Sequence, residues 1–467
     1  MKQQVLQGPI HLIGSSGIGM KGLTKLLSDL NYSLSGSDIN LNTHQDDVIP
    51  AHKCYRLHLA SNLGKEVKTI IYSAAIPEDN AELIEARKRG LTCLSRPEAL
   101  AHIASQSQTC IAVSGTHGKT STTALITHLL CASGYKPSYY IGGVPNNNFA
   151  QAHFNAGPYF ITETDESDGS FLSIPASIKT LINIDNDHLS YYKNFETLLD
   201  AFKTYIDQTH NTSQQLVANI DNPWIQSLLS KSSTTPLSVG LDKKADLYAD
   251  AIEFTKQGLK MTLYFQGKKQ GVLSSALYGT HNIENSLVGI AAALCAGLSF
   301  SEILNALPSF LGTQKRFEWL SKTPHLILDY AHHPTAIDAT LKAYQTHFKT
   351  AANLIFQPHR YSRLYHYFDA FVDSLSKAKS IQVLPIYSAQ ETETYGMSSQ
   401  KLVNALQQKN IKASLIDSLP TAPNNQTQEP LMFMGAGDIE QLARTYAKQA
   451  SNNSRKKTVV AAHQNQT

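Results

Sequence analysis

The stretch TCIAVSGTHGKTSTTALITHLLCASG, residues 109–134, decides the fold of the central part of this 467-residue chain. Its first residues are apolar and β-branched, and its later residues have the pattern of a helix, so it predicts a strand, a glycine turn and a helix in succession. Such a turn directs several backbone N–H groups and the positive end of the helix at one point. That geometry suits a phosphate group, so the stretch predicts a nucleotide-binding α/β domain.

The turn departs from the usual phosphate-loop pattern G-x-x-x-x-G-K-[ST], because Val113 stands at the position of the first glycine. The rest of the pattern is present: Lys119 can reach the β- and γ-phosphates, and the Thr120 hydroxyl can ligate Mg²⁺. The alternative interpretation is a tight turn that is closed by glycines and binds nothing. Because a strand pattern precedes the turn and a helix pattern follows it, we expect a phosphate-binding loop formed by Gly115, Thr116, His117, Gly118, Lys119, Thr120 and Ser121.

A second glycine-rich loop, GIGMKG at residues 17–22, satisfies the pattern G-x-G-x-x-G between a predicted strand and a predicted helix. Asp38 follows at the end of the next predicted strand, where a dinucleotide-binding fold places its ribose carboxylate. Taken alone, this region predicts an NAD-dependent oxidoreductase. Such an enzyme does not need a further phosphate loop roughly a hundred residues later. The two loops together therefore indicate two phosphorylated ligands, with chemistry between them.

The composition is that of an ordinary globular protein, with 42% apolar residues, 16% charged residues and a formal net charge of +3. The charge is spread along the chain and gives no indication of nucleic-acid binding. The five cysteines include no C-x-x-C pair, which favours reduced thiols. The first residues lack the apolar run of a signal peptide, and no stretch is long and apolar enough to span a membrane. We therefore expect a cytoplasmic protein without membrane insertion, as a monomer or weak homodimer.

Short apolar runs alternate with helical patterns along most of the chain, which predicts parallel β-α-β units. We expect three α/β domains: a Rossmann-like domain at 1–106, a central P-loop ATPase-type domain with a mixed sheet at 107–311, and a Rossmann-like domain at 312–449. Turn residues near Gly258 predict a hairpin in the central domain. The polar residues 450–467 predict a disordered tail.

Acidic residues follow two of the predicted central strands. The segment ITETDESDGSF carries four carboxylates, Glu163, Asp165, Glu166 and Asp168, and INIDNDH carries Asp187 and His188. The carboxyl ends of parallel strands face the ligand crevice, and Mg²⁺ bound to a nucleotide takes one or two protein ligands. We therefore expect Thr120, Glu163 and His188 to hold the ion. At least two of the four carboxylates after the first strand are expected to cap helix N-termini instead.

Eight motifs appear in the order expected of one family: GTHGKTSTT, ETDESDGSF, NIDNDH, GTHNIENS, QKRFE, DYAHHPT, FQPHRYSR and MGAGD. With the loop GSSGIGM, they resemble the Mur ligases, the ATP-dependent amide-bond-forming enzymes of peptidoglycan synthesis, from about residue 10 to about residue 445. The resemblance implies ATP with Mg²⁺ in the central domain, a UDP-sugar in the first and an amino acid in the third. Within the family it is closest to the branch that joins L-alanine to UDP-N-acetylmuramate. The alternative is a recycling ligase that attaches a murein tripeptide to the same UDP-sugar.

The resemblance also implies roles for individual residues. It assigns the UDP-sugar to Gly14, Gly17, Ile18, Gly19, Met20, Asp38 and Ser73. It adds His281, Asn282, Asn285, Arg316 and Asp329 to the ATP site, and it assigns the amino acid to Tyr330, His359, Arg360 and Arg363. The catalytic residues that it implies are Lys119, His188, Glu163 and Arg316. Lys203, near the position of a carbamylated lysine in several family members, is expected to be an ordinary surface residue.

Overall fold

The computed structural model describes residues 6–40, 48–147, 149–187, 189–209, 214–255, 257–389, 391–393, 395–420 and 429–464. These residues form three sheets, of five, ten and six strands, with helices between the strands. They pack as two compact units: one comprises Met1–Ile252, Lys260–Ala276 and Ile283–Gly312, and the other comprises Glu253–Leu259, Leu277–Asn282 and Thr313–Thr467. The three sheets confirm the predicted α/β class, whereas the predicted domain limits stay a proposal.

The first sheet is parallel and has the strand order β3-β2-β1-β4-β5. Its strands are β1 (Ile10–Ile13), β2 (Leu34–Ser37), β3 (Cys54–Tyr55), β4 (Thr69–Tyr72) and β5 (Thr92–Ser95), and its helices are α1 (Ile18–Asp29), α2 (Ala81–Lys88) and α3 (Arg96–Ala104). The strand order reverses beside β1, which in an open α/β sheet opens a crevice at the carboxyl ends of the strands. The predicted loop at residues 17–22 begins at this crevice.

The central sheet has the order β15-β14-β13-β12-β11-β10-β6-β9-β7-β8. Its strands are β6 (Thr109–Ser114), β7 (Ser138–Tyr140), β8 (Ala152–His153), β9 (Tyr159–Glu163), β10 (Ile178–Leu181), β11 (Gln215–Asn219), β12 (Leu237–Gly240), β13 (Leu247–Thr255), β14 (Gly258–Phe265) and β15 (Lys268–Ser275). The accompanying helices are α4 (Lys119–Ala132), α5 (Leu189–Tyr192), α6 (Phe195–Asp207), α7 (Pro223–Leu229), α8 (Thr280–Cys295) and α9 (Phe300–Ala306). The sheet is mixed, as predicted, because β8 is antiparallel to β7 while β6 is parallel to both β9 and β10.

The third sheet has the order β16-β17-β21-β18-β19-β20 and is parallel except for β16 at its edge. Its strands are β16 (Glu318–Lys322), β17 (His325–Asp329), β18 (Asn353–Phe356), β19 (Ser380–Val383), β20 (Lys412–Leu415) and β21 (Leu431–Met434). Its helices are α10 (Pro334–Phe348), α11 (Tyr361–His366), α12 (Phe368–Leu375), α13 (Ser399–Gln408) and α14 (Ile439–Gln464). Apolar residues from both faces of this sheet form two buried clusters.

The predicted disordered tail is wrong for residues 450–464, because α14 continues through them to Gln464. The segment holds no glycine or proline after Gly437, so no strong helix breaker interrupts α14. Its polarity therefore reflected a polar helix rather than a lack of structure. Residues 465–467 lie outside the described part of the chain.

Candidate active site

The predicted phosphate loop joins β6 to α4, and the predicted strand, turn and helix are confirmed. Gly115 and Gly118 have φ values of 139° and 87°, in the region that favours glycine. Gly118 precedes the first residue of α4 and offers no side-chain cap, so the N–H groups of the first helical turn have no side-chain partner from that residue. A Cβ atom on Gly118 would also collide with the Asn285 side chain. Position 118 therefore requires glycine for two reasons, its backbone conformation and the lack of room for a side chain.

Two residues after β10 fix the shape of the loop. Asn183 accepts the Thr116 N–H through its carbonyl oxygen (3.1 Å) and the His117 N–H through its side chain (2.8 Å). The Asp185 N–H donates to the Thr116 hydroxyl (3.0 Å), and the Asp185 carboxylate lies 2.9 Å from the His117 ring. Thr116 and His117 thus have structural partners within the protein, and their predicted contacts to ATP stay a proposal. Sequence reasoning missed Asn183 and Asp185 in this role, although both lie in the motif NIDNDH.

Lys119 is held at the loop by a buried carboxylate. Its ammonium group donates to Glu166 (2.6 Å) and to the Gly115 carbonyl (2.9 Å), and the Glu166 side chain is fully buried. Burial alone lowers the pKa of Lys119, but the Glu166 and Asp165 carboxylates outweigh it and raise the pKa above its usual value. The loop therefore carries a fixed positive charge at neutral pH.

Thr120 and Glu163 place two oxygen ligands side by side. The Thr120 hydroxyl donates to a Glu163 carboxylate oxygen at 2.8 Å. Burial raises the pKa of Glu163, and the Thr120 hydrogen bond and the Lys119 charge partly offset that shift. Gly142 packs against this carboxylate so closely that a Cβ atom there would collide with it. His188, the third predicted metal ligand, lies outside the described residues.

The other carboxylates of the ETDESD segment have local partners. Asp168 accepts the Ser170 N–H (3.0 Å) at the start of the short 3₁₀ helix Ser170–Ser173, and Asp165 accepts the Ser167 N–H (3.0 Å) in the preceding turn. Both hydrogen bonds close turns, because the N-cap of this 3₁₀ helix is Gly169 and has no side-chain cap hydrogen bond. The expectation that these carboxylates cap helix N-termini is therefore wrong for Asp165 and Asp168.

In the first sheet, the predicted UDP-sugar residues surround the loop after β1. Gly14 has a φ of 79°, and a Cβ atom there would lie 3.1 Å from the Ser73 Cβ atom. Asp38 accepts the N–H groups of Ser16 and Asn40, both at 2.8 Å, so its carboxylate braces the loop backbone. The loop ends at Gly17, and Ile18, Gly19 and Met20 are the first three residues of α1.

The residues predicted from the motif GTHNIENS divide between the two compact units. Asn285 belongs to the first unit and packs against Gly118, whereas His281 and Asn282 belong to the second. Glu284, which sequence reasoning did not single out, accepts a hydrogen bond from Asn219 (3.4 Å). Burial and the nearby Asp221 carboxylate raise the pKa of Glu284 to about 7.

In the second unit, Asp329 ends β17 and accepts the N–H groups of Phe317 and Ala331, both at 2.8 Å. Burial raises the pKa of Asp329, and the neighbouring Arg316 guanidinium partly offsets it. Arg316 itself lies over the Tyr330 ring, 4.9 Å from its centroid. Arg316, Asp329 and Tyr330 are therefore neighbours, although the first two are assigned to ATP and Tyr330 to the amino acid.

The predicted amino-acid residues are linked through His332, which sequence reasoning missed. The His332 ring lies 4.8 Å from the Tyr330 ring and 5.7 Å from the His359 ring. His359 stacks on Tyr387 at 5.4 Å, and Arg363 lies 3.3 Å from its Nδ1 atom. Burial and the nearby arginines lower the pKa of His359 to about 4, so this ring is neutral at pH 7. Arg360 has a φ of 71° where the chain turns into α11.

Lys203 forms an ion pair with Asp207 one turn along α6, and its side chain is 39% exposed. The expectation of an ordinary surface lysine agrees with this pairing. None of the helices in the described part of the chain combines the length and apolar character that crossing a membrane needs.

Comparison with known proteins matches three Mur ligase domains in succession along the chain. These are the Mur ligase family, catalytic domain (residues 9–108), the Mur ligase middle domain (113–293) and the Mur ligase, glutamate ligase domain (315–437). The UDP-N-acetylmuramate–L-alanine ligase of a Hydrogenobaculum species is 36% identical over 452 residues, which cover 94% of this chain and 98% of that protein.

Two solved structures share the fold. The UDP-N-acetylmuramate–alanine ligase of Thermotoga maritima superposes with a TM-score of 0.79 at 24% identity, over 95% of this chain and 99% of that one. A murein peptide ligase of Psychrobacter arcticus superposes with a TM-score of 0.69 at 22% identity, over 95% and 98% of the two chains. At these identities the two structures show the likeness of fold alone.

Proposed function

This chain belongs to the Mur ligase family, and on that premise we infer that it is an ATP-dependent ligase of peptidoglycan precursor synthesis. It joins L-alanine to the lactyl carboxylate of UDP-N-acetylmuramate and releases ADP and phosphate. The observation that carries the inference is the 36% identity, over nearly the whole of both chains, to a ligase of that specificity. The two glycine loops, one on each of two neighbouring sheets, agree with two phosphorylated substrates.

The reaction has two steps. A carboxylate oxygen of the UDP-sugar attacks the γ-phosphorus of ATP, the bond to the β–γ bridging oxygen breaks, and ADP leaves behind an acyl phosphate. The L-alanine amine then attacks the acyl carbon, the bond to the phosphate oxygen breaks, and the amine proton is lost to solvent as the amide forms. A protein promotes phosphoryl transfer mainly by positioning the reactants and neutralising charge. We assign both tasks to the residues around Lys119.

Lys119 is the cation that would meet the γ-phosphate. Its ammonium group must exchange the Glu166 carboxylate for a phosphate oxygen, or bridge the two, because Glu166 holds it 2.6 Å away in this structure. Glu166 is fully buried and its chain is anchored by the Tyr192 hydroxyl, which donates to the Glu166 carbonyl (2.6 Å). The pair therefore orients the lysine before ATP arrives, which lowers the cost of ordering it during the reaction.

The Thr120 and Glu163 oxygens fit Mg²⁺, which binds oxygen ligands and keeps several waters beside phosphates. We propose these two residues, with His188, as the protein ligands. When bound, Mg²⁺ would offset negative charge on the phosphates.

The remaining site residues are proposed by position. The UDP-sugar would occupy the crevice of the first sheet around Gly14, Gly17, Ile18, Gly19, Met20, Asp38 and Ser73. ATP would also meet Asn285, His281, Asn282, Arg316 and Asp329, and L-alanine would meet Tyr330, His359, Arg360 and Arg363. We further propose a cytoplasmic enzyme that works as a monomer or weak homodimer.

Ligation of a murein tripeptide is the alternative, and it has less support. A murein peptide ligase shares the fold at 22% identity, whereas the L-alanine relative is 36% identical. The test is phosphate release from ATP with UDP-N-acetylmuramate and either L-alanine or the tripeptide. Faster turnover with the tripeptide would reverse the assignment. Saturable NADH binding without phosphate release would instead support the oxidoreductase interpretation of the first loop.

A further inference from the structure

Arg96 is a half-buried cation that neither glycine loop accounts for. It is the first residue of α3, directly after β5, and so lies at the carboxyl edge of the first sheet. It lines a cleft together with Lys119, Tyr140 and Glu163. This cleft belongs entirely to the first compact unit.

The Arg96 guanidinium has more donors than acceptors around it. A guanidinium carries five N–H groups. Among the described residues, the one hydrogen bond that Arg96 makes is to the Tyr140 hydroxyl, at 3.0 Å. Burial lowers the pKa of Arg96, but Tyr140 and the Asp165 and Asp168 carboxylates outweigh burial and raise the pKa above its usual value. The positive charge is therefore retained. The unused donors of a half-buried guanidinium that lines a cleft are available to a ligand of opposite charge. Arg96 therefore indicates an anion in this cleft.

The neighbours of Arg96 identify which anion. The Tyr140 hydroxyl that receives its hydrogen bond donates in turn to the Gly19 carbonyl (2.9 Å), in the loop proposed for the UDP-sugar. A Cβ atom on Gly19 would lie 3.0 Å from the Arg96 Nη1 atom. Lys119, proposed for the γ-phosphate, lines the same cleft. Arg96 thus lies where the reacting end of the UDP-sugar must approach ATP, and a guanidinium suits bidentate binding of a carboxylate.

We propose that Arg96 binds the lactyl carboxylate of UDP-N-acetylmuramate and holds this carboxylate toward the γ-phosphate of ATP. Tyr140 is the residue that positions the Arg96 guanidinium. The assignment rests on the proposed function. It adds a substrate contact from α3, outside both glycine loops.

The test is calorimetric titration of the full-length protein with two UDP-sugars in the absence of ATP. UDP-N-acetylglucosamine lacks the whole 3-O-lactyl group, carboxylate included, and is otherwise the same ligand. Arg96→Ala should weaken binding of UDP-N-acetylmuramate by roughly 30- to 150-fold, the range for a lost charge-assisted hydrogen bond, and leave UDP-N-acetylglucosamine binding unchanged. Arg96→Lys should recover part of the loss. Arg87→Ala is the matched control, because Arg87 is an exposed arginine of α2 that pairs with Glu78.

Each contrary outcome is distinct. If Arg96→Ala weakens the binding of both UDP-sugars equally, Arg96 contacts a part that they share, and the assignment is overturned. An increase in KM for ATP alone, measured by phosphate release, would mean that Arg96 binds a phosphate of ATP and would overturn the assignment as well. If the wild-type protein prefers UDP-N-acetylmuramate and Arg96→Ala behaves identically, this assignment fails while the proposed function stands. If the wild-type protein binds neither sugar, the proposed function fails and takes the assignment with it.

Discussion

At the scale of single residues, the proposed active site depends on charges that are held in place before any substrate binds. Lys119 is fixed by hydrogen bonds to Glu166 and to the Gly115 carbonyl, and the Glu163 carboxylate accepts a hydrogen bond from Thr120. Fixed charges in a partly buried site stabilise a transition state more than the same charges in water, since they need no reorganisation when the reaction occurs. Activity should therefore be most sensitive to the loss of a side chain whose removal leaves a neighbouring charge without its partner.

Lys119→Ala should abolish ligation and leave UDP-sugar affinity nearly intact, because the UDP-sugar is proposed for a different loop. We expect a loss on the order of 10³-fold in kcat/KM, since a principal phosphate-neutralising group is removed. Phosphate-release kinetics and UDP-sugar titration measure the two effects. Lys203→Ala is the control, as Lys203 is an exposed helical lysine paired with Asp207. A Lys119→Ala protein with a tenth of wild-type activity would contradict the phosphate-loop assignment.

Arg363→Ala should raise the KM for L-alanine and change the KM values for ATP and UDP-N-acetylmuramate little. Arg363 lies beside the neutral His359 ring, in the cluster proposed to bind the amino-acid carboxylate. Loss of one charge-assisted contact costs roughly 2–3 kcal/mol, or about 30- to 150-fold in kcat/KM. Steady-state kinetics with each substrate varied in turn provide the measurement. If the defect falls on the UDP-sugar, the alanine site has been assigned to the wrong residues.

The sequence identified residues with a local signature and missed those defined by distant contacts. Lys119 and Gly118 were predictable because the strand, turn and helix are contiguous in the chain. Asn183 was not, since its contact with His117 joins segments 66 residues apart. Arg96 was not predictable either, because an arginine at the start of a helix is usually a solvated residue. Only the fold brings it into a cleft with Lys119.

At the scale of elements, the turn between β6 and α4 is the feature most sensitive to a substitution that changes the backbone conformation. Gly118→Ala should abolish ATP binding, because the new Cβ atom collides with Asn285 and the residue has a φ of 87°. Gly134→Ala separates the two causes: Gly134 has a φ of 85°, and no described atom lies within 4 Å of its Cβ position. That control should lose about 1 kcal/mol of stability and keep its KM for ATP. Similar ATP affinities for the two variants would contradict a packing requirement at Gly118.

The order of elements was predictable, whereas their ends and partners were less so. The hairpin near Gly258 was correct, since β13 ends at Thr255 and β14 begins at Gly258 as its neighbour. The polar C-terminal residues were misjudged because composition alone cannot separate a polar helix from a chain without structure. The absence of glycine and proline after Gly437, rather than polarity, was the signal that would have predicted the continuation of α14.

At the scale of the whole molecule, one buried lysine outside the proposed site should contribute to how stability depends on pH. Lys179 in β10 is 3% exposed, and burial lowers its pKa to about 8. Its folded pKa is below the unfolded value, so the unfolded chain binds the proton more tightly between about pH 8 and pH 10.5. Stability from this group therefore rises with pH across that window, by an amount on the order of 2–3 kcal/mol.

The measurement is urea denaturation of the wild type and of Lys179→Met at pH 7, 8 and 9. The difference in free energy of unfolding between the two proteins isolates Lys179 from the other titrating groups. We expect the free energy of unfolding of the wild type to increase relative to that of the variant as pH rises. Parallel pH profiles for the two proteins would show that Lys179 is not titrating differently in the folded state.

The contact of Tyr140 with α1 limits how far this chain can be treated as interchangeable modules. Tyr140 is 1% exposed, and a Cβ atom on Gly22 would lie 2.8 Å from its ring. A chimera that took its first domain from a relative with alanine at that position would need a smaller residue in place of Tyr140. Grafting would therefore have to exchange the two positions together. Recombination between such enzymes is constrained here by one aromatic ring, although the backbones on either side are separate sheets.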